Sequence, residues 1–494
     1  MKNSMQNIFA GSLQMYSARI VTLSLGILQN FILAKFLGPA GFGEISLFSL
    51  ILVYAGLTGL GFDTVAAREI PGYVVLDKKR EIDHIQNLSF SVELVFRIVI
   101  SIIVALIGLF FFKGTLKVGI LLISLVLVAQ KISAYWRVIA NATKKFSILS
   151  KVNILEGLLM GGLTIILVKF TGVYTRLLAV LCAQIAVGFY LIKSMPLDLK
   201  ITFKSERSRA ILKMGLPFVI LSIVYYVWQA SDRTLIARFM NFEMLGLYSF
   251  AASCVSLLLL FSEDVNAVLQ PFMYERISSR KSRKEILPMI RKSTVLYAYL
   301  TPVLIFFLWI LYPVILKLIM PGYLESVWPF RILLFQFYLV NINTPVNYLI
   351  RSNEVNRQSW LLLTYIIAGA VSYLAILLFW RMGLGMTGAA LGVVFANIIA
   401  VIINFSIAHR YYLDDLKISI RYYVLILTPV IYTVLCLLIM EIAITRGILN
   451  SWIFQFITIV GLVSPLVFFA NRELGLIREF FVFIQNPKKW ATNT

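Results

Sequence analysis

Several cationic side chains of this sequence stand inside long apolar runs, where a charge must face a wet cavity or a partner. Arg19 and Lys131 lie near the middle of such runs. Arg97 does too, with Glu93 one helical turn before it, a spacing suited to an i, i+4 ion pair. A charge at mid-membrane depth costs at least about 2.5–3.5 kcal/mol on insertion scales, so such residues mark polar sites. Arg137 and Arg331 lie near run ends and are expected to snorkel to the interface. Arg233 sits in the outer third of its run. There Tyr226, Gln229 and Arg233 share one helical face, and Tyr225, Trp228 and Asp232 the adjoining one. That combination reads as a cavity wall or as a set of interfacial anchors.

Acidic and amide groups complete the set. Asp63 lies late in one run, and Glu263 and Asp264 late in another. With Asp232, they could balance buried arginines, carry a coupling proton or cation, or lie near the interface. Gln336, Asn343, Asn347 and Arg351 fall at spacings of 7, 4 and 4, one stripe of a helix. Such a stripe suits sugar hydroxyls and suits helix–helix hydrogen bonds equally. Metal chemistry has little to work with. His84 and His409 are far apart, and Cys182, Cys254 and Cys436 show neither zinc nor disulfide spacing. No cofactor is expected beyond a coupling proton or sodium ion.

The elements that must position these groups are membrane helices. Of 494 residues, 60% are hydrophobic and 14% charged, whereas soluble domains are about a quarter charged. A spanning helix needs about 20 mostly apolar residues. Fourteen candidate spans satisfy this: 9–36, 43–67, 87–112, 118–141, 152–172, 177–192, 214–239, 246–270, 293–316, 326–350, 358–380, 385–408, 422–443 and 450–470. The runs are too long for barrel strands and lack strict alternation, so the expected fold is all-α. Lys2 leads into a long apolar run holding Arg19 without a cleavage-like site, so the first run is read as a span rather than a signal peptide.

Basic residues test the topology. With the N-terminus inside, 30 of the 45 Lys and Arg fall in inside segments and 9 in outside segments or span ends. The bias alternates loop after loop, as the positive-inside rule requires. Both termini are therefore expected in the cytoplasm of a multi-pass cell-membrane protein. The net charge of +22 follows from cytoplasmic loops facing anionic lipid headgroups, and no basic soluble face suggests nucleic acid.

An internal repeat is visible. At an offset of 203, Ala34 matches Ala237, Phe36 matches Phe239, Gly43 matches Gly246 and Ser46 matches Ser249. The same offset carries Asp63 to position 266, close to Glu263 and Asp264. The repeat implies parallel six-helix bundles over residues 1–195 and 196–415, with two further helices and a tail over 416–494.

Some segments are familiar. They are Phe36-Leu-Gly-Pro-Ala-Gly-Phe-Gly43, Ser231-Asp232-Arg233 with Gly246-Leu-Tyr-Ser249, and Tyr135-Trp-Arg-Val-Ile-Ala-Asn141 followed by Lys144 and Lys145. Together they resemble polysaccharide or O-antigen flippases of the multidrug/oligosaccharidyl-lipid/polysaccharide exporter superfamily. The resemblance implies two bundles in a V around a central cavity. It implies movement of a polyprenyl-pyrophosphate-linked oligosaccharide from the cytoplasmic to the outer leaflet, with membrane lipids and polysaccharide polymerase machinery as partners. By position, Arg19, Lys131 and Arg233 would hold the pyrophosphate or acidic sugars. An arginine fork suits phosphate oxygens. The rival within the superfamily is a cation-coupled drug or metabolite antiporter, which would favour an acidic cavity. A membrane enzyme would need catalytic groups on sizeable outer loops, and here these loops are short, with Glu243 and Glu325 isolated.

Overall fold

A computed structural model of the chain describes residues 2–143, 145–203, 208–278, 283–351, 358–412, 416–448 and 452–475. Side chains within these ranges are described except at 2–21, 23, 75, 261–278, 283–289, 292, 358, 410–412, 416–421, 452–453, 470 and 472–474. Among the described residues the regular structure is helical throughout, without a strand. The chain forms two compact units, Met1–Phe250 and Ala251–Thr494.

The first unit holds α1 (Lys2–Gly56), α2 (Phe62–Val75), α3 (Lys79–Phe111), α4 (Gly114–Ala142), α5 (Phe146–Thr171), α6 (Thr175–Ser194), α7 (Ser208–Gln229), α8 (Ser231–Phe239) and the start of α9 (Phe242–Ser278). The second holds the rest of α9 with α10 (Arg283–Ile319), α11 (Val327–Arg351), α12 (Gln358–Arg381), α13 (Gly385–Tyr412), α14 (Leu416–Thr445) and α15 (Trp452–Leu474).

Each of the fourteen expected spans falls on these helices, with two corrections. The span expected at 43–67 is broken at 57–61, and that at 214–239 steps at Ala230. The Gly38-Pro39 boundary between the first two spans is a kink within α1, where Gly38 has φ 67°. Ten stretches among the described residues are long and apolar enough to cross a membrane; Ser24–Gly56 takes in parts of two expected spans, and Phe146–Ser194 the whole of two. Helix α11 misses that measure because its amide stripe dilutes an otherwise apolar run.

The packing is that of a lipid-solvated bundle. On α3 the polar stripe Ser89, Glu93, Arg97 and Ser101 is buried, while Val95, Ile98, Val99, Ile102 and Ile103 are exposed. A soluble helix would show the reverse. Small residues bring backbones close, as where Gly157 and Gly161 of α5 lie against Thr22 and Leu25 of α1. At one end of the first unit, Tyr135 and Trp136 of α4 anchor a core with Ile70, Val152, Leu191 and Met195. The Tyr135 hydroxyl donates to the Gln86 carbonyl at 2.7 Å, and Trp136 Nε1 to the Met195 carbonyl at 3.1 Å. In the second unit α13 packs on α11 and α12, and α10 on α11, α14 and α15.

Candidate functional site

The break at 57–61 interrupts the span expected at 43–67, so backbone groups there lose their helical partners. In an apolar surrounding each unsatisfied group costs several kcal/mol. Helix α3 satisfies them with two side chains one turn apart. Arg97 Nη1 donates to the Ala55 carbonyl at 2.7 Å and Nη2 to the Gly56 carbonyl at 2.9 Å. Glu93 Oε1 accepts from the backbone N–H groups of Leu60 at 3.1 Å and Phe62 at 3.0 Å. The cation thus sits at the end of α1 and the anion at the start of α2, as the helix dipoles require. The i, i+4 ion pair expected between Glu93 and Arg97 is replaced by this division of labour, because the broken backbone offers both charges better-placed partners.

Lys131 of α4 reaches into the same place. Its Nζ bonds the carboxylates of Asp63, in the first turn of α2, and of Glu93 at 3.1 Å. Two cations and two carboxylates are therefore gathered around the break. Lys131 and Glu93 are each 5% exposed at the side chain and Asp63 25%. The second carboxylate oxygen of Asp63, Oδ1, is buried and makes no hydrogen bond among the described residues.

A second network joins α4, α5 and α6. Arg137 donates to Asn153 Oδ1 at 2.8 Å and to Glu156 Oε2 at 2.6 Å. Gln184 Nε2 donates to Glu156 Oε1 at 2.6 Å, and Ser133 Oγ bonds Gln184 Oε1. Arg137 was expected to snorkel. Instead Glu156 of α5 draws it inward.

Around the step at Ala230 the two predicted faces separate. Trp228 and Asp232 are buried, whereas Tyr226 is 44% exposed and the Arg233 side chain 40%. Tyr248 donates to Asp232 Oδ2 at 2.7 Å. Arg233 Nε lies 3.7 Å from Asp232 Oδ1, a loose ion pair, and makes no hydrogen bond among the described residues. Next to it, the hydroxyls of Thr234 and Tyr54 meet at 2.6 Å.

In the second unit, Asn404 of α13 donates to Asn343 at 3.3 Å and Asn347 at 2.9 Å, and accepts from Thr364 of α12 at 3.1 Å. The amide stripe therefore makes helix–helix hydrogen bonds here. Arg331, also expected to snorkel, is 8% exposed. It donates to Glu441 of α14 at 2.9 Å and lies 4.5 Å and 5.2 Å from the ring centroids of Trp309 and Trp328. The cation–π faces and the carboxylate together hold it inside.

Of the residues singled out in the sequence, Lys131 and Asp63 come together, Arg233 and Asp232 form a second site, and Asn343 and Asn347 a third. The side chains of Arg19, Glu263 and Asp264 lie outside the described residues. Sequence reasoning missed Glu156, Gln184, Asn404 and Glu441. Each is a lone polar residue in an apolar run, the same signal that exposed Lys131.

Solved structures share this fold. An inward-facing multidrug resistance MATE family transporter of the MOP superfamily is similar with a TM-score of 0.66 at 14% identity, over 82% of this chain and 100% of that one. The lipid II flippase MurJ, in an inward closed conformation, gives 0.61 at 16%, over 94% and 99%. A MOP superfamily transporter from Pyrococcus furiosus, whose binding pocket is described as reversed in polarity, gives 0.54 at 15%, over 85% and 96%. Among proteins of curated function none matches the sequence. A family model described as polysaccharide biosynthesis protein matches residues 32–328, more than half of the chain. The chain is a multi-pass membrane protein with the fold of the MOP-superfamily transporters, and it belongs to the polysaccharide biosynthesis protein family.

Proposed function

We propose that this protein moves a polyprenyl-pyrophosphate-linked oligosaccharide from the cytoplasmic to the outer leaflet of the cell membrane by alternating access. The observation that carries the reading is Arg233. Its side chain is 40% exposed on a span while Nε is buried without a hydrogen bond among the described residues, and Asp232 beside it is engaged by Tyr248. A pyrophosphate headgroup with sugars cannot cross hydrocarbon unaided, and an exposed guanidinium fork offers its oxygens a bidentate partner. Arg19 is the second candidate contact. Membership of the polysaccharide biosynthesis family supports a glycan-bearing substrate. The positive-inside pattern supports cytoplasmic termini. Polymerase machinery acting on the delivered unit is the expected partner.

The competing reading is a cation-coupled drug or metabolite antiporter, favoured by the MATE likeness in fold. In that reading Asp63 or Asp232 would serve a coupling proton or sodium ion. Both carboxylates have cationic partners, which favours the anionic cargo. The experiment is glycan export in a deletion strain. Loss of surface polymer with lipid-linked precursor accumulating on the cytoplasmic leaflet is expected. Normal precursor sidedness together with increased drug susceptibility would favour the antiporter instead.

A further inference from the structure

The five residues 57–61 separate α1 from α2, and the groups around them are of two kinds. Glu93 and Arg97 bond the backbone on either side of the gap. Both come from α3, so α3 is a seat common to both helix ends. Lys131 differs. It comes from α4 and touches α2 through a side chain, Asp63, whose other oxygen is left over. Gly61, the residue before α2, has φ 82°, and its backbone lies directly against that of Gly215 in α7. A Cβ at either glycine would run into the other's backbone. Nothing bulkier than hydrogen stands between the two chains at that crossing.

From these observations we infer that the break in the second span is a joint on which α2 moves, seated on Glu93 and Arg97 and latched by Lys131 onto Asp63. The seat supplies hydrogen bonds that an unbroken helix would have made, so the joint stays satisfied in an apolar surrounding. The latch is one ion pair; opening it leaves Lys131 with Glu93 and frees the Asp63 carboxylate, whose side chain is already 25% exposed. A bare gap would be tolerated only with continuous loss of stability. A seat and a separable latch allow α2 to hold two positions. Purpose in a transport cycle rests on the proposed function, but the joint itself is a property of this chain and is measured without transport.

The experiment is hydrogen–deuterium exchange of the full chain in lipid nanodiscs, comparing wild type with Asp63→Asn and Lys131→Met. Local opening sets the exchange rate of amides whose reclosing is fast. Asp63→Asn, which leaves Lys131 with Glu93, is expected to speed exchange over 62–75 by about tenfold with α3 and α5 unchanged; Lys131→Met should speed it at least as much, with a smaller rise in α3 because Glu93 also loses its partner. The conservative variant Lys131→Arg keeps a cation between Asp63 and Glu93 and is expected to hold α2 within about threefold of wild type. Exchange in α2 unchanged in both Asp63→Asn and Lys131→Met would overturn the latch. So would an equal rise across α2 to α5, which would mean general loosening. Exchange in Lys131→Arg as fast as in Lys131→Met would also count against it. If the latch behaves as expected while glycan export proves normal without the protein, the joint stands and the substrate reading falls.

Discussion

The backbones of Gly43 and Gly246 meet. A Cβ built on Gly43 would fall on the carbonyl of Phe242, and one built on Gly246 on the carbonyl of Pro39. These glycines are the matched pair of the segments 33–46 and 236–249, so two stretches alike in sequence pack on each other inside the first unit. Alanine at either position forces the two chains apart. Gly43→Ala or Gly246→Ala is expected to destabilise by about 1–3 kcal/mol, the usual cost of overpacking. Gly26→Ala, on the same helix with open space around it, serves as the control. It should be neutral or stabilising by up to about 1 kcal/mol. Thermal unfolding in detergent reads both. Equal effects at all three positions would mean that the crossing carries no special weight.

The seat of the broken span predicts a failure of conservative substitution. Arg97 forks onto two successive carbonyls, a geometry that a lysine ammonium cannot reproduce. Arg97→Lys should therefore lose most of what Arg97→Met loses, although the charge is kept. Glu93→Gln keeps the shape yet removes a charge from Lys131 and from the start of α2, at an expected cost of about 3 kcal/mol. Differential scanning fluorimetry ranks the three. A near-wild-type melting temperature for Arg97→Lys would show that charge alone, rather than the fork, holds the break.

Arg331 and Glu441 make the third test. Helix α14 lies beyond the sequence repeat, and this ion pair ties it to α11 beneath Trp309. Removing one partner strands a buried charge, so Arg331→Leu or Glu441→Leu should each cost about 3–5 kcal/mol. Removing both strands none, and the double variant is expected to be more stable than either single one. A double-mutant cycle on thermal stability isolates the coupling. Additive losses would place the two side chains out of contact.

The sequence's legibility followed the chemistry of each element. Long apolar runs sufficed to place the fourteen expected spans on helices, because bilayer thickness fixes their length, but not to show the interruptions at 57–61 and at Ala230. The Leu37-Gly38-Pro39 boundary was equally plain, since Gly38 takes a positive φ and Pro39 starts the next limb. The break at 57–61 was hidden. Thr58, Gly59 and Gly61 dilute an apolar run only slightly, and the partners that make a break tolerable, Glu93 and Arg97, lie more than thirty residues on. Lone cations were easy to find and hard to interpret. A charge in an apolar run announces a partner without naming it, so Arg137 and Arg331 read as interfacial although Glu156 and Glu441 hold them inside. The amide stripe on α11 left two readings open, and only the position of Asn404 shows which contacts it makes.

Lys131 and Arg233 differ in burial and pairing, and the proposed function gives them different roles, a structural cation and a contact for the substrate. Lys131 is buried against two carboxylates, and Lys131→Ala leaves both facing an apolar interior. Its loss of export should come with a loss of stability of about 3 kcal/mol or more. Adding Asp63→Asn removes one stranded charge and should recover a good part of both. Arg233 is half exposed and only loosely paired, so Arg233→Ala is expected to leave the melting temperature nearly unchanged while cutting export at equal expression. Arg233→Lys keeps a cation without the fork and should export at an intermediate level. Surface polysaccharide per cell and melting temperature, measured on the same five variants including wild type, give the two axes. Export lost at Arg233 without loss of stability assigns it to the substrate path. Export and stability falling together at Arg233 would make it a packing residue, and the anionic headgroup would then need another partner.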